Sequence, residues 1–391
     1  MDLRDSPEEA AFRKEVVDFI ETEAPRARPG MSYETLAEEG QRWFRKLSER
    51  GWIAPAWPKE YGGAGMSQIE QFIYNEEMAI HRAPRPAHLI IGLGLAGPTI
   101  IVHGNEEQKK RFLPGVLAGT DIWCQGYSEP EAGSDLASLR TRAVKDGDDY
   151  VLNGQKIWST LAHMARWMIC LARTDPEAPK HKGITYFVVD MKAPGITVRG
   201  LTNMADTHEF NEVFFDNVRV PKENVVGQEN RGWYVGMTTL DFERSNVGSA
   251  VGMVQEVEDL VDYAITWRRT PVSLLDLNPL LRLELADRLI EAEAGRMLSY
   301  RIASMQNRGL IPNYEASLVK VFSAELHQRI ARSKMNVMGL YAQLMAPDPM
   351  APHLGAWSHQ YLRSVGYSIE AGTSEIQKNI IAQRGLGLPR D

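Results

Sequence analysis

The apolar residues change their spacing twice along this chain, and that change limits the possible folds more than any other feature. Up to about residue 120 they recur every three or four positions, as on an amphipathic helix. Between about 121 and 232 short β-rich runs such as Ile184–Asp190 alternate with turn residues. Helical spacing then returns, with helices predicted over 235–267, 279–307 and 313–339. The order predicts an α+β fold with a helical domain at 1–120, a β-barrel domain at 121–232 and a helical domain at 233–391.

Local signals predict where individual elements begin and turn. Ser6 followed by Pro7 is typical of a helix start, with proline at the first helical position. Ser374 with Gln377 three residues later predicts a capping box for the last helix. Asn153–Gly154, between two β-rich runs, predicts a two-residue hairpin turn.

Composition excludes several classes of protein. The 391 residues are 43% hydrophobic and 24% charged, which is typical of a globular protein. A net charge of -7 and the lack of a basic run with interleaved aromatics argue against a nucleic-acid partner. Cys124 and Cys170 make neither a disulfide framework nor a metal site. Without a signal peptide or a membrane-length apolar run, we predict a cytoplasmic protein with no membrane segment.

The glycines of the segment 92–97 formally match a dinucleotide-binding fingerprint. The segment lies in the helical third, without a βαβ unit and without an acidic residue about twenty positions later. We therefore predict that these glycines let helices approach closely or open a pocket.

The segment Ser128–Asp135, with the sequence SEPEAGSD, lies where the β-rich part begins. Small residues and free backbone N–H groups allow a planar, phosphate-bearing ligand to come close. By composition alone the segment is better explained as an ordinary polar turn. Composition therefore does not by itself indicate a binding site.

A carboxylate is predicted on the apolar stripe of the helix that follows Gly236. Glu243 falls in register with Leu240, Val247, Ala250 and Val254. Burial raises the pKa of a carboxyl group and suits it to proton abstraction near neutral pH. Pairing with a buried arginine, or a place at the edge of the stripe, is the alternative.

Together with Asn153–Thr160 and Gly372–Gln377, the segment Ser128–Asp135 resembles the acyl-CoA dehydrogenase family in motif order and spacing. The resemblance covers essentially the whole chain. It implies a C-terminal four-helix bundle, FAD as cofactor, an acyl-CoA substrate, an electron-transfer flavoprotein as acceptor, and a tetramer. The implied product is a trans-2-enoyl-CoA.

The resemblance also assigns roles to individual residues. It implies that Ser134 and Arg244 contact the substrate, and that the Ala371 N–H polarises the thioester carbonyl. The implied FAD-binding residues are Tyr127, Ser128, Gly133, Ser134, Trp158, Thr160, Thr373 and Glu375.

The catalytic base departs from the commonest family pattern. The usual glutamate precedes the C-terminal Gly-Thr, where this chain has Ala371. In a subset resembling isovaleryl-CoA dehydrogenase the base precedes an arginine on an earlier helix, which Glu243–Arg244 matches. The resemblance therefore implies Glu243 as the base, with Glu370, one residue from the usual position, as the rival.

In the family, two segments contact the flavin of the neighbouring subunit. Both segments are changed in this chain. Arg-x-x-Phe-Gly is replaced by Trp267–Pro271, and Gly-Gly-x-Gly by Val337–Tyr341. We therefore predict an α2β2 assembly in which a related chain completes the flavin site, similar to actinobacterial enzymes acting on steroid side chains. A diverged homotetramer remains the alternative. An oxidase-like relative and a non-catalytic subunit are the competing functions.

Overall fold

In the computed structural model, residues 4–26, 33–244, 249–266 and 272–389 are described. The chain forms two compact units. One consists of Met1–Ala24, Met66–Pro84 and Arg244–Asp391, and the other of Pro25–Gly65 and Arg85–Glu243. Neither unit coincides with a predicted domain, and the boundaries at 120 and 232 remain predictions.

The elements follow the predicted order of helices, strands and helices, so the fold class is confirmed. The first helices are α1 (Pro7–Glu23), α2 (Tyr33–Glu49), α3 (Gln68–Ile80), α4 (Gly97–His103) and α5 (Glu106–Leu117). The strands are β1 (Trp123–Gly126), β2 (Arg142–Asp146), β3 (Asp149–Lys156), β4 (Trp167–Arg173), β5 (Ile184–Asp190), β6 (Ile196–Leu201) and β7 (Phe210–Val220). The later helices are α6 (Gly232–Arg244), α7 (Ser249–Thr266), α8 (Leu274–Leu277), α9 (Pro279–Asn307), α10 (Tyr314–Met338), α11 (Ala356–Ser364) and α12 (Ser374–Ile380).

The two predicted helix starts have different outcomes. Ser6 caps α1 as predicted: its Oγ accepts from the Glu9 N–H (3.2 Å), and the Glu9 carboxylate accepts from the Ser6 N–H (2.6 Å). For α12 the predicted cap is wrong by one residue, because Thr373 Oγ1 accepts from the Ile376 N–H (3.2 Å). Thr373 is extended (φ -58°, ψ 159°), whereas Ser374 is already helical.

The strands form one sheet in the order β1-β4-β2-β3-β7-β6, with β5 paired to β4. β1 runs parallel to β4, while β3 and β7 pair antiparallel in the middle of the sheet. Alternate inward side chains of these strands make the core of this unit, including Leu152, Cys170 and Val213. Both cysteines are free and buried.

The hairpin prediction at Asn153–Gly154 is wrong, because these residues lie inside the continuous strand β3. The turn is six residues earlier, where Gly147 (φ +66°) joins β2 to β3. At Gly154 the register with β7 shifts, as in a β-bulge, and a Cβ there would lie 2.6 Å from Thr141 Oγ1. Asn153 Oδ1 accepts from the Asn217 N–H (2.9 Å), which stabilises the bulge.

The glycine segment forms a π-helical turn, Gly92–Ala96, that leads directly into α4. A Cβ at Gly97 would lie 1.9 Å from Cζ2 of the buried Trp57, whereas a Cβ at Gly94 would meet no atom within 4 Å. Trp57 Nε1 donates to the Leu93 carbonyl (2.9 Å). What lies against Gly97 is the side chain of Trp57, which belongs to no helix, and not a second helix as predicted.

The helical unit has several small cores. α1, α3 and α9 meet around Phe72 and Tyr300, whose rings pack edge to face at 4.6 Å. α7, α9 and α10 bury Val257, Ala292 and Leu326. No helix in the described ranges is long and apolar enough to cross a membrane.

We predict different effects of a glycine-to-alanine substitution at Gly94, in the π-helical turn, and at Gly97, at the start of α4. Gly97→Ala forces Trp57 to move, and overpacking of this kind costs about 1–3 kcal/mol of unfolding free energy. Gly94→Ala has open space and is expected to be neutral or to stabilise by about 0.4–1 kcal/mol. Thermal unfolding of both variants beside wild type makes the comparison. Equal melting temperatures for the two variants would contradict the packing argument.

Candidate active site

The loop after β1 carries the first predicted binding motif. Tyr127 is buried, Ser128 is partly buried, and Gly133 and Ser134 are exposed. Glu129 and Ala132 bond to each other through their backbones and close a tight turn. A Cβ at Gly133 would meet no atom within 4 Å. The loop therefore presents an open surface that has its buried end at Tyr127.

A buried ion pair fixes this loop to β3. Lys156 Nζ donates to Glu129 Oε1 (2.8 Å) and to the Tyr127 carbonyl (3.0 Å), and its side chain is fully buried. The Glu129 carboxylate also accepts from the N–H groups of Arg140 (2.6 Å) and Thr141 (2.9 Å). Burial opposes ionisation of Glu129, but the charge of Lys156 and these hydrogen bonds outweigh it and lower the pKa of the carboxyl group.

The second motif continues from the same lysine into a turn of unusual geometry. Trp158 has a φ of +60°, which costs free energy for any residue other than glycine, and its side chain is 58% exposed. Phe210 contacts the indole edge to face at 5.9 Å. The Ile157 N–H donates to the Ser128 carbonyl (2.9 Å), so this turn and the first loop are directly bonded. Ser128 and Trp158 thus lie on two directly bonded segments, with Thr160 partly buried two residues on, and their roles at the flavin remain predictions.

The helix that carries the predicted base is anchored by a hydroxyl cluster that sequence reasoning missed. Thr239 of α6 bonds to Thr99 of α4 (2.8 Å) and to Tyr186 of β5 (3.3 Å), all buried. Burial raises the pKa of Tyr186 to about 12, so its hydroxyl remains protonated at neutral pH. The buried Tyr127 ring packs edge to face on Tyr186 at 6.2 Å. Lone threonines in helices carried no signal that would have predicted this cluster.

Glu243 and Arg244 are the last two residues of α6. Their side chains lie outside the described part of the structure. The roles of Glu243 as base and of Arg244 as a substrate contact therefore remain predictions.

The C-terminal motif forms a strained turn before α12. Ala371 (φ +55°) and Gly372 (φ +86°) both have left-handed backbone conformations. Gln377 Nε2 donates to the Ala371 carbonyl (3.1 Å), which fixes the peptide orientation. Among the described residues no atom accepts a hydrogen bond from the Ala371 N–H. The role of this N–H as an oxyanion-type donor remains a prediction.

Glu370, the rival base, is held by an arginine. Arg363 donates to its Oε2 (2.9 Å), and the arginine side chain is mostly buried. The same guanidinium lies over the Tyr367 ring at 4.9 Å. The ion pair engages only Oε2 of the carboxylate, and the role of Glu370 as rival base remains a prediction.

Thr373 and Glu375 line an open polar cleft of about 500 Å³ in the helical unit. Basic groups on its walls include Arg332 and Lys378, and Lys378 pairs with Glu325 (2.9 Å). Ser374, which is buried, also faces this cleft. The lining is polar, with acidic and basic side chains side by side.

Comparisons with known proteins agree with the resemblance seen in the motifs. Residues 6–120, 124–218 and 230–386 match the N-terminal, middle and C-terminal domains of acyl-CoA dehydrogenase. The acyl-CoA dehydrogenase IpdE1 of Mycobacterium tuberculosis is 39% identical over 367 residues, covering 93% of this chain and 91% of the relative.

Two solved structures have the same fold over their full length. One is the Tcur3481-Tcur3483 steroid ACAD, 31% identical with a TM-score of 0.85. The other is the ChsE4-ChsE5 complex from Mycobacterium tuberculosis, 34% identical with a TM-score of 0.84. Each aligns over 100% of this chain and of its own.

We predict that the buried pair, and not the exposed pair of the same loop, stabilises the site. Lys156→Met leaves Glu129 buried without its counter-ion, and breaking such a pair costs about 3–5 kcal/mol. Lys180→Met removes an exposed partner of Asp135 (2.5 Å) and is expected to cost under about 1 kcal/mol. Denaturant unfolding followed by tryptophan fluorescence measures both. Similar losses for the two variants would contradict the assignment.

Proposed function

Because this chain belongs to the acyl-CoA dehydrogenase family, whose cofactor is FAD, we propose that its middle-domain motifs hold the flavin for α,β-dehydrogenation of an acyl-CoA. The observation that carries the proposal is Trp158: a large, exposed indole at positive φ, bonded through Ile157 to the Ser128 loop. Exposing an aromatic ring in a strained turn costs free energy unless a ligand covers it. FAD, when bound, accepts the hydride that leaves the β-carbon.

The residues fit a flavin in shape and chemistry. Trp158 offers a flat apolar face to an isoalloxazine ring, and Ser128 offers a hydroxyl at its edge. The open space at Gly133 and the exposed hydroxyl of Ser134 suit phosphate groups of FAD or of coenzyme A. The partly buried Thr160 extends the same surface, and Tyr127 closes its buried end.

Proton abstraction is assigned to Glu243. Its position before Arg244 at the end of α6 matches the family subset that lacks a glutamate at Ala371. The hydroxyl cluster around Thr239, one turn earlier, fixes that end of the helix. The Ala371 N–H donates to the thioester carbonyl, which makes the α-proton more acidic. Thr373 and Glu375, which follow it in the chain, are assigned to FAD binding by the resemblance.

We assign the substrate to the steroid-derived acyl-CoA class. The Tcur3481-Tcur3483 protein is a steroid ACAD by name, and it aligns with the whole of this chain. The segment 86–97 is assigned to the acyl end of the pocket, where the open Gly94 position leaves room for a bulky group. Electrons then pass to an electron-transfer flavoprotein.

The assembly is assigned as α2β2 with a related chain. Both solved relatives named above combine two different polypeptides. The altered segment Val337–Tyr341 ends α10 and leaves Leu340 83% exposed, while Trp267–Pro271 lies outside the described residues. A related chain supplies the flavin contacts that these two altered segments have lost. We place the assembly in the cytoplasm.

Substituting each candidate base tests the mechanism. In the active assembly Glu243→Gln is expected to slow flavin reduction by acyl-CoA by about 10²–10⁴-fold, because a positioned base contributes that much. Glu370→Gln is expected to leave the rate near wild type. Anaerobic stopped-flow absorbance, run with short, branched, long and steroid-linked thioesters, gives the rates. FAD content is measured in parallel, and near-normal reduction by Glu243→Gln would refute the assignment.

Expression alone and together with a related chain encoded beside it tests the assembly. We expect the lone chain to hold less than one FAD per polypeptide and to lack turnover, and the co-purified pair to be saturated and active. Flavin absorbance and mass photometry measure occupancy and size. Full occupancy and turnover in a homotetramer of the lone chain would overturn the α2β2 proposal.

A further inference from the structure

A buried asparagine is bonded to the Trp158 turn from the neighbouring strand. Asn211 of β7 is fully buried, and its carbonyl accepts from the Ser159 N–H (3.0 Å). Its side-chain Nδ2 donates to the Ser159 carbonyl (3.0 Å). Asn211 therefore bonds to both the N–H and the carbonyl of Ser159, the residue that follows Trp158.

Two histidines lie within hydrogen-bond distance of the side-chain amide of Asn211. Nδ2 of Asn211 lies 3.2 Å from His163 Nδ1, and its Oδ1 lies 2.9 Å from His208 Nε2. The two imidazole rings stack on each other, with centroids 4.3 Å apart and planes 26° from parallel. Both histidines are exposed to solvent, whereas the asparagine between them is not.

The bond to Ser159 fixes the protonation state of His163. Nδ2 of Asn211 faces the carbonyl oxygen of Ser159. If Nδ2 and Oδ1 exchanged positions, two oxygen atoms would face each other, so the observed orientation of the amide is the favourable one. Nδ2 is therefore a donor to His163 as well, and His163 Nδ1 must be an unprotonated acceptor. His208 Nε2 donates to Oδ1, and this bond is possible in either charge state of His208.

Protonation of His163 is thus incompatible with this arrangement. An Nδ1–H would face the N–H of the asparagine, and a charged ring would lie 4.3 Å from His208. Partial burial and the neighbouring His208 lower the pKa of His163. A hydrogen bond to Asn211 Oδ1 would oppose this shift, but it needs the amide orientation that Ser159 excludes.

The surrounding elements carry both paired and exposed charged groups. Gly200 of β6 lies directly against His208, where a Cβ would come 2.3 Å from Nε2. The neighbouring charged residues are Arg199, which pairs with Glu212, Arg166, which pairs with Asp190, Glu209, which accepts from Asn203, and the exposed Asp206.

We propose that Asn211 and His163 are positioning residues that hold the Trp158–Thr160 turn against the flavin, and that they do so only while His163 is neutral. The inference rests on the proposed function, because the turn is assigned there to the flavin. It adds a pH limit to flavin binding that neither the base nor the substrate sets.

The direction of the pH effect follows from the lowered pKa. A histidine with a lowered pKa in the folded protein contributes stability that is fully present above its ordinary value of 6.5 and is lost as the pH falls below it. Order in the turn and affinity for FAD are therefore expected to be constant at neutral pH and to decline on acidification.

Amide hydrogen exchange of the flavin-free protein tests the turn by itself. In wild type, the protection factors of the Ser159 and Leu161 amides, corrected for the intrinsic rate, are expected to fall between neutral pH and pH about 5.5. In His163→Asn, whose Oδ1 replaces Nδ1 as acceptor, they are expected to remain constant. The same fall in His163→Asn as in wild type overturns the proposal.

FAD affinity of the assembled protein tests the link to function. Asn211→Ala is expected to raise the Kd for FAD tenfold or more at neutral pH. Asn224→Ala is the matched control. Asn224 is buried like Asn211 and likewise donates to a backbone carbonyl, but its other partner is an arginine and it does not touch the turn. It is expected to lower stability and leave the Kd unchanged. Equal Kd values for Asn211→Ala and wild type overturn the proposal, and failure of Asn211→Ala to fold leaves the decision to His163→Asn.

The two proposals fail in different ways. If wild type binds no FAD in any assembly, the proposed function falls, and the exchange experiment still decides whether Asn211 and His163 hold the turn. If wild type binds FAD and both variants match it at every pH, only the present inference falls.

Discussion

The arrangement of the two middle-domain motifs depends on the buried pair of Lys156 and Glu129. Removing two charges from water costs several kcal/mol each, and the cost is offset only if both are paired and further hydrogen-bonded. Here the lysine also donates to the Tyr127 carbonyl, and the carboxylate accepts from two backbone N–H groups. The pair therefore joins the end of β3 to the loop after β1. Because Trp158 follows two residues after Lys156, its turn is placed by the same contact.

The sequence allowed the order of elements and much of the local chemistry to be predicted. Periodicity depends on burial of one face, and so it revealed the α–β–α order. Turn chemistry was less reliable. Asn153–Gly154 has the residues of a tight turn, but pairing of β3 with strands on both sides uses the glycine for a bulge. The cap of α12 is Thr373 and not Ser374, because Thr373 is the last residue with a non-helical backbone before the helix.

What could not be predicted depends on contacts between distant parts of the chain. Thr239 meets Thr99 and Tyr186 from two other elements, and Asn211 meets Ser159 from a neighbouring strand. No short-range pattern distinguishes such residues from ordinary polar positions. The family resemblance, by contrast, is confirmed along nearly the whole chain, because motif order is retained where single positions such as Ala371 have changed.

The central claim is that this chain's middle domain holds the flavin at the Trp158 turn. A crystal or cryo-electron-microscopy structure of the FAD-loaded assembly tests it most directly. The account predicts the Trp158 indole packed on the isoalloxazine ring, Ser128 within hydrogen-bond distance of the ring edge, and the Lys156–Glu129 pair intact. A flavin bound elsewhere, with Trp158 still exposed to solvent, would contradict the account.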